Sequence, residues 1–244
     1  MKILGITTTH AACGCALADG ETLLAEVTFP GYRTCTEELA ARIEELFESA
    51  GVSPESLGGA AVDAGPGGLT GLKVGLVTAK TFSQVLNIPL VGVPSFEILA
   101  ADAPPGFSRV LAVIHSSRDE FFTALHERDG GGKLMKVTAE KLDHARILAA
   151  AKKTAEKTYV TGGGVEKLDT AAFPAAVFTL APPERSFPRA ATLCRIAGPL
   201  LRAGKGKPFD QVQPEYLCPA RADPDAAEKT RRNEALPRRD PAGG

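Results

Sequence analysis

The sequence lacks an excess charge of either sign: 28 Lys and Arg stand against 29 Asp and Glu, for a net charge of −1. No global basic field exists to hold nucleic acid, so any RNA contact must be local or made through a partner. No apolar run reaches the length of about 18 residues that a membrane span requires. The five cysteines, Cys13, Cys15, Cys35, Cys194 and Cys218, are odd in number and scattered. That spacing argues against a disulfide framework and suits a reducing compartment. Met1 to Thr7 turns polar at once, without the apolar stretch or cleavage site of a secretory signal, so the expected address is the cytoplasm. Tryptophan is absent and aromatics make up 6% of the chain, yet 44% apolar and 23% charged residues are an ordinary globular balance. Wholesale disorder is excluded. At 244 residues the chain makes one large domain or two small ones and needs no metal or disulfide staple.

What is present reads as one plan used twice. Lys2 to Thr7, Cys13 to Ala18 and Thr22 to Phe29 are strand-like, with the hairpin signal Asp19-Gly20 between the last two. Thr34 to Ala50 is helical: Leu39, Ile43, Leu46 and Phe47 recur at helical spacing, Thr34 and Glu37 have capping-box spacing, and Gly51 marks the stop. Ser53-Pro54 follows as an N-cap with Pro at the first helical position. Then come a buried strand at Ala60 to Ala64, a long helix at Thr70 to Leu86, a strand at Leu90 to Val93 and a short helix at Pro94 to Ala101. The order returns with strands at Arg109 to Ile114, Glu120 to His126 and Leu134 to Val137. A helix at Ala139 to Lys153, a strand at Thr158 to Thr161, a short helix, a strand at Val177 to Leu180 and a last helix from Pro188 to Ala203 follow. Three strands in a meander and then strand–helix alternation predict an α/β fold of tandem ribonuclease-H-like halves, the actin/Hsp70/sugar-kinase architecture. The halves are expected at 1–104 and 105–219. Residues 220–244 hold six basic and five acidic residues, three prolines and Leu236 as the single large apolar side chain. A disordered, solvated tail is expected there, with an RNA- or partner-contacting arm as the alternative.

The most specific stretch runs from Asp63 to Leu76 and joins a buried strand to a long helix. A glycine-rich turn there can cradle phosphate on free N–H groups, with Gly65, Gly67, Gly68 and Thr70 as candidates. The stretch matches neither the phosphate-loop pattern, which needs Lys-Ser or Lys-Thr after its last glycine, nor G-x-G-x-x-G. The other reading is a tight turn that lets the helix pack very close to its neighbours, and the small-residue stripe Gly71, Gly75 and Ala79 fits it.

The same stretch carries a family resemblance. Ala61 to Gly75 resembles the hallmark G-P-G-S-F-T-G-[LV]-R-[IV]-G of the bacterial TsaB (YeaZ) family. Asn87 to Glu97 resembles that family's "N-I-P-L-V-G-V-S-S-L-E", and Pro214-Glu215-Tyr216-Leu217 echoes its closing "P-x-Y-L". The resemblance implies a non-catalytic subunit in tRNA threonylcarbamoyladenosine modification. Such a subunit pairs with a TsaD-like transferase, is joined by a TsaE-like ATPase, and meets tRNA through the complex. It implies no cofactor of the chain's own, ATP and magnesium being used by partner subunits, and no membrane; a homodimer is possible in isolation. It also implies docking through the two long first-half helices, with Leu39, Ile43, Gly71, Leu72, Gly75, Leu76 and Ala79 as expected interface residues. The second of these helices, with Lys73 and Lys80 as its only charges, is poor enough in charge to fit an interface.

The sequence departs from the family at chemically telling places. Strand one usually ends "I-D-T-S-T"; here it reads Ile6-Thr7-Thr8-Thr9-His10. In the second half His115 stands where the family usually has Asp. Mg²⁺ wants hard oxygen ligands, normally including a carboxylate, so independent ATP chemistry is not expected. The helical H-x-x-x-H metal pair of TsaD-like subunits is missing, since none of His10, His115, His126 and His144 has a His four residues on. His10, Cys13 and Cys15 have spacing compatible with a zinc site, or are two core thiols and a loop histidine. A stand-alone phosphotransferase of the sugar-kinase fold and a peptidase are the alternative functions.

Overall fold

The structure, a computed structural model, describes residues 1–31, 33–129 and 134–215. The expected disordered tail lies outside them, as do Tyr216, Leu217 and Cys218 and the glycines between Asp129 and Leu134. Among the described residues no helix is long and apolar enough to cross a membrane.

Strands β1 (Lys2–Thr7), β2 (Ala12–Asp19), β3 (Thr22–Pro30), β4 (Leu57–Asp63) and β5 (Leu90–Val93) form one sheet in the order β3-β2-β1-β4-β5. Strands β6 (Arg109–Ser117), β7 (Glu120–Arg128), β8 (Leu134–Asp143), β9 (Thr158–Thr161) and β10 (Phe178–Leu180) form a second sheet in the order β8-β7-β6-β9-β10. In each sheet the first three strands pair antiparallel and the last two add in parallel. The repeat expected from the sequence is therefore one topology built twice.

Side chains alternate across β1 with the period of a strand. Leu4 and Ile6 face helices α1 (Arg33–Ala50) and α2 (Leu69–Leu86), whose Leu39, Ile43, Leu46, Phe47, Leu76 and Ala79 complete that core. Ile3 faces the other way, onto Ala190, Leu193, Cys194, Ala197 and Leu201 of α5 (Ala190–Arg202). The boundary expected at 104/105 falls between β5 and β6, but the helices do not follow it. Late helix α5 covers the first sheet, while α3 (Ser95–Ala101) places Phe96 and Leu99 on Ala112, Ile114 and Ala124 of the second. This exchange of covers ties the halves together through apolar contact, the dominant favourable term in folding.

Three local expectations change. Residues 139–143 are not helical but continue β8, pairing Ala139 with Ala124 and Leu142 with Phe121. Helix α4 spans only His144–Ala151, and Asp143 caps it by accepting from Arg146 N at 2.8 Å. Between β9 and β10, where a short helix was expected, stand two single 3-10 turns at Val165–Lys167 and Thr170–Ala172. Thr34 forms no capping box; it lies inside α1 and its hydroxyl donates to Gly31 O at 2.9 Å.

Candidate functional site: the cleft at the strand ends

The parallel strands β1 and β4 end at one edge of the first sheet, and β6 of the second sheet ends opposite. Between them lies a cleft of about 760 Å³, lined by Thr8, Thr9 and His10 after β1, Gly67 to Gly71 at the start of α2, and Ile114, His115 and Ser116 of β6. A crevice outside the carboxyl ends of parallel strands is the standard ligand position in open α/β sheets.

The glycine-rich turn serves close packing. A Cβ at Gly67 would lie 2.4 Å from Thr9 O, and one at Gly71 would lie 1.8 Å from Thr8 O. Both positions must be glycine for α2 to start directly against the end of β1. The phosphate candidates are correspondingly engaged. Gly65 N donates to Asp63 Oδ1 at 3.0 Å and Gly68 N to Thr9 O at 2.7 Å. Two amides that a phosphate would need thus already have acceptors. Thr70 is exposed at the cleft wall.

The expected interface residues are placed inside the protein. Leu39, Ile43, Leu72, Gly75, Leu76 and Ala79 are buried. Gly71 and Gly75 pack on Thr8, whose hydroxyl donates to Gly71 O at 2.7 Å. The small-residue stripe brings α2 onto its own sheet. The outward face of α2 is different: Leu69, Val77 and Val85 are 54%, 63% and 75% exposed. Beside it, Ala40, Ile43 and Phe47 of α1 and Phe82 of α2 line a groove.

Sequence reasoning missed a buried polar network at the cleft floor. Asp63, 1% exposed, accepts from the hydroxyls of Thr9 and Ser95, the latter at 2.5 Å, and from Gly65 N. Since the Thr9 proton goes to the carboxylate, His10 Nδ1 donates to Thr9 Oγ1, at 2.6 Å. Burial pushes the Asp63 carboxyl up to about 6, against the three donors, which pull it down. Burial also pushes the His10 imidazole down to about 4. Asp63 sat inside the quoted motif, but its partners are far away in sequence, and only the junction of β1, β4 and α3 brings them together.

The cleft does not suit the magnesium that ATP-using members of this fold hold. Thr7 is buried with its hydroxyl toward Gly14 O, and exposed His115 donates from Nε2 to Arg118 O at 2.9 Å. Both oxygens of Asp63 are already occupied by donors. Cys13 and Cys15 are core thiols, and among the described residues no group of three or more His, Cys, Asp or Glu side chains is placed to hold a metal ion. His10, Cys13 and Cys15 therefore do not form the zinc set that their spacing allowed.

Two sheets of one topology, with a cleft at their facing strand ends, define the actin/Hsp70/sugar-kinase class of fold. Comparison with solved structures agrees. YeaZ from Pseudomonas aeruginosa superposes with a TM-score of 0.73 at 24% identity, over 88% of this chain and 99% of that one. A further structure from P. aeruginosa, described as a protein with similarity to peptidase YEAZ, gives 0.75 at 23%, over 89% and 99%. The family model for TsaD, tRNA N6-adenosine threonylcarbamoyltransferase, matches residues 30–193. The tRNA threonylcarbamoyladenosine biosynthesis protein TsaB of Bacillus subtilis is 30% identical over 132 residues, 54% of this chain and 57% of that protein. Its Escherichia coli counterpart is 29% identical over 134 residues, 54% and 58%. These alignments span little more than half the length of the curated relatives. Over residues 30–193 the chain belongs to the family of that TsaD model, and it is similar to the TsaB and YeaZ proteins.

Proposed function

We propose that this protein is a non-catalytic subunit that pairs with a TsaD-type transferase, and through it with a TsaE-type ATPase. The complex transfers a threonylcarbamoyl group to the adenosine beside the anticodon of tRNA. ATP and magnesium belong to the partner subunits, and tRNA is met through the complex. The observation that carries the reading is the outward face of α2, where Leu69, Val77 and Val85 stand exposed, on the helix whose Phe82 lines the α1–α2 groove. Exposed apolar side chains gathered along one helix mark an interaction surface. A specific interface of about 800 Å² per partner has room to centre there. Among the described residues the cleft offers Glu37 at its wall and Asp63 at its floor, the latter with both oxygens taken by donors, and no group of three side chains placed to hold a metal ion, which supports a subunit without independent turnover.

The experiment is co-elution of the full chain with the TsaD-type transferase of the same genome. The double variant Val77→Glu/Val85→Glu is expected to keep the wild-type melting temperature and to elute alone. Continued co-elution of that variant places the partner surface elsewhere. If instead the wild-type chain elutes as its own dimer and never with the transferase, a second copy is the occupant of this face.

A further inference from the structure

A second cavity, of about 580 Å³, lies where α3, α5 and the β7–β8 ladder meet, and shares no residue with the cleft. Its polar lining is His126, Arg128, Lys136, Arg195 and Glu97. The geometry begins with a register shift between Leu125 and His126, which sets His126 directly opposite Lys136. His126 is 2% exposed, and neither of its ring nitrogens has a hydrogen-bond partner. A neutral imidazole carries one donor and one acceptor, and buried polar groups in native proteins are normally satisfied. An imidazole with both nitrogens open therefore lacks a partner among the described residues.

The lining indicates the charge of that partner. Lys136 reaches only distant carboxylates, Glu97 at 3.9 Å and Glu215 at 3.8 Å, well beyond a charge-assisted hydrogen bond. Arg195 uses Nη2 on Ala101 O at 2.7 Å, which leaves further donors on its five-donor guanidinium. Arg128 donates from Nε to Phe107 O at 2.9 Å. Lys136 and Arg195 thus face one lining carboxylate, Glu97. Burial and the Lys136 charge together push the His126 imidazole down to about 4, so the ring is neutral with an N–H to donate.

We propose that this cavity binds the phosphate group of a small phosphate monoester, with Lys136 and Arg195 around the anion and the His126 ring donating to it. Arginine and lysine are the usual phosphate ligands. The volume lies within the small-molecule range, and Ala100, Met135 and Ile196 offer apolar wall for the organic part. A terminal phosphate reaches a floor made by a buried histidine. A phosphodiester flanked by sugars on both sides does not, so RNA backbone is not the occupant.

The test is titration calorimetry of the full chain with inorganic phosphate and with AMP, alongside NMR of the histidine rings. Saturable one-to-one binding is expected, with the His126 ring resonances shifting on saturation. Lys136→Gln and His126→Leu should each weaken binding at least tenfold. His126→Leu loses no hydrogen bond and should fold; should it fail to fold, Lys136→Gln and the ring shifts decide. The proposal is overturned if neither probe binds saturably, if both variants bind as wild type does, or if the His126 ring does not respond. It is equally overturned if an oligonucleotide without terminal phosphate binds while AMP does not.

Discussion

Replacing Asp63 by Asn removes a buried carboxylate while keeping its size and an acceptor oxygen for the surrounding donors. In the native protein this carboxyl titrates near 6 instead of 3.8. A raised folded-state value means that the native state holds the proton more tightly than the unfolded chain. The stability it contributes is complete below about 3.8 and is lost as pH rises through about 6. At 1.36 kcal/mol per pH unit, the loss is on the order of 3 kcal/mol. His10 and His126, both pushed down to about 4, act in the opposite sense. Each contributes stability that is complete above the ordinary histidine value and is lost as pH falls toward 4. The wild-type profile is therefore a partial cancellation, and the variant-minus-wild-type difference isolates Asp63. Thermal unfolding followed by circular dichroism from pH 4 to pH 7.5 measures it. Relative to wild type, Asp63→Asn is expected to gain on the order of 3 kcal/mol across that range, or about 6–12 °C for a chain of this size. A flat difference, or one that falls with pH, refutes the account of the cleft floor.

Gly71→Ala drives a methyl into Thr8 O, 1.8 Å from the new Cβ, and is expected to cost about 3 kcal/mol in chemical denaturation; a neutral outcome contradicts the packing role of the turn. Leu76→Glu, at a position 8% exposed within the core, buries an unpaired carboxylate and is expected to destabilise the fold by about 3–5 kcal/mol. Its neighbour Val77→Glu, 63% exposed, should stay within about 0.5 kcal/mol of wild type; equal melting losses for the two would reverse the assignment of the faces of α2. Magnesium-dependent ATP hydrolysis by the purified chain is expected to stay at background, and turnover abolished by a change within residues 65–71 would restore the phosphate-loop reading.

Strand content was legible because the apolar runs are short and bounded by turn residues, so both meanders and all parallel additions stand out without tertiary information. Residues 139–143 misled for a definite reason. Ala139, Glu140, Lys141 and Leu142 are strong helix formers, and pairing with β7 overrides that preference. On α2 the scarcity of charge was readable, but the phase was not. Leu72, Leu76 and Ala79 point inward and Leu69, Val77 and Val85 outward, a division that depends on where Gly71 touches Thr8. The fold-level exchange of α3 and α5 between sheets leaves no periodic trace, since either sheet satisfies their apolar faces. The Asp63 network was illegible for a related reason: Thr9, Asp63 and Ser95 become neighbours only when three separate elements end at one place.

Reconstituted threonylcarbamoyl transfer to tRNA tests the central claim most directly. The same-genome TsaD-type transferase and TsaE-type ATPase are assayed with and without this protein, and the protein is assayed alone with ATP. Transfer that depends on its addition, with no turnover by the protein alone and loss of transfer in Val77→Glu/Val85→Glu, is the predicted result. Full transfer in its absence, or transfer by this chain without the TsaD-type partner, contradicts the account.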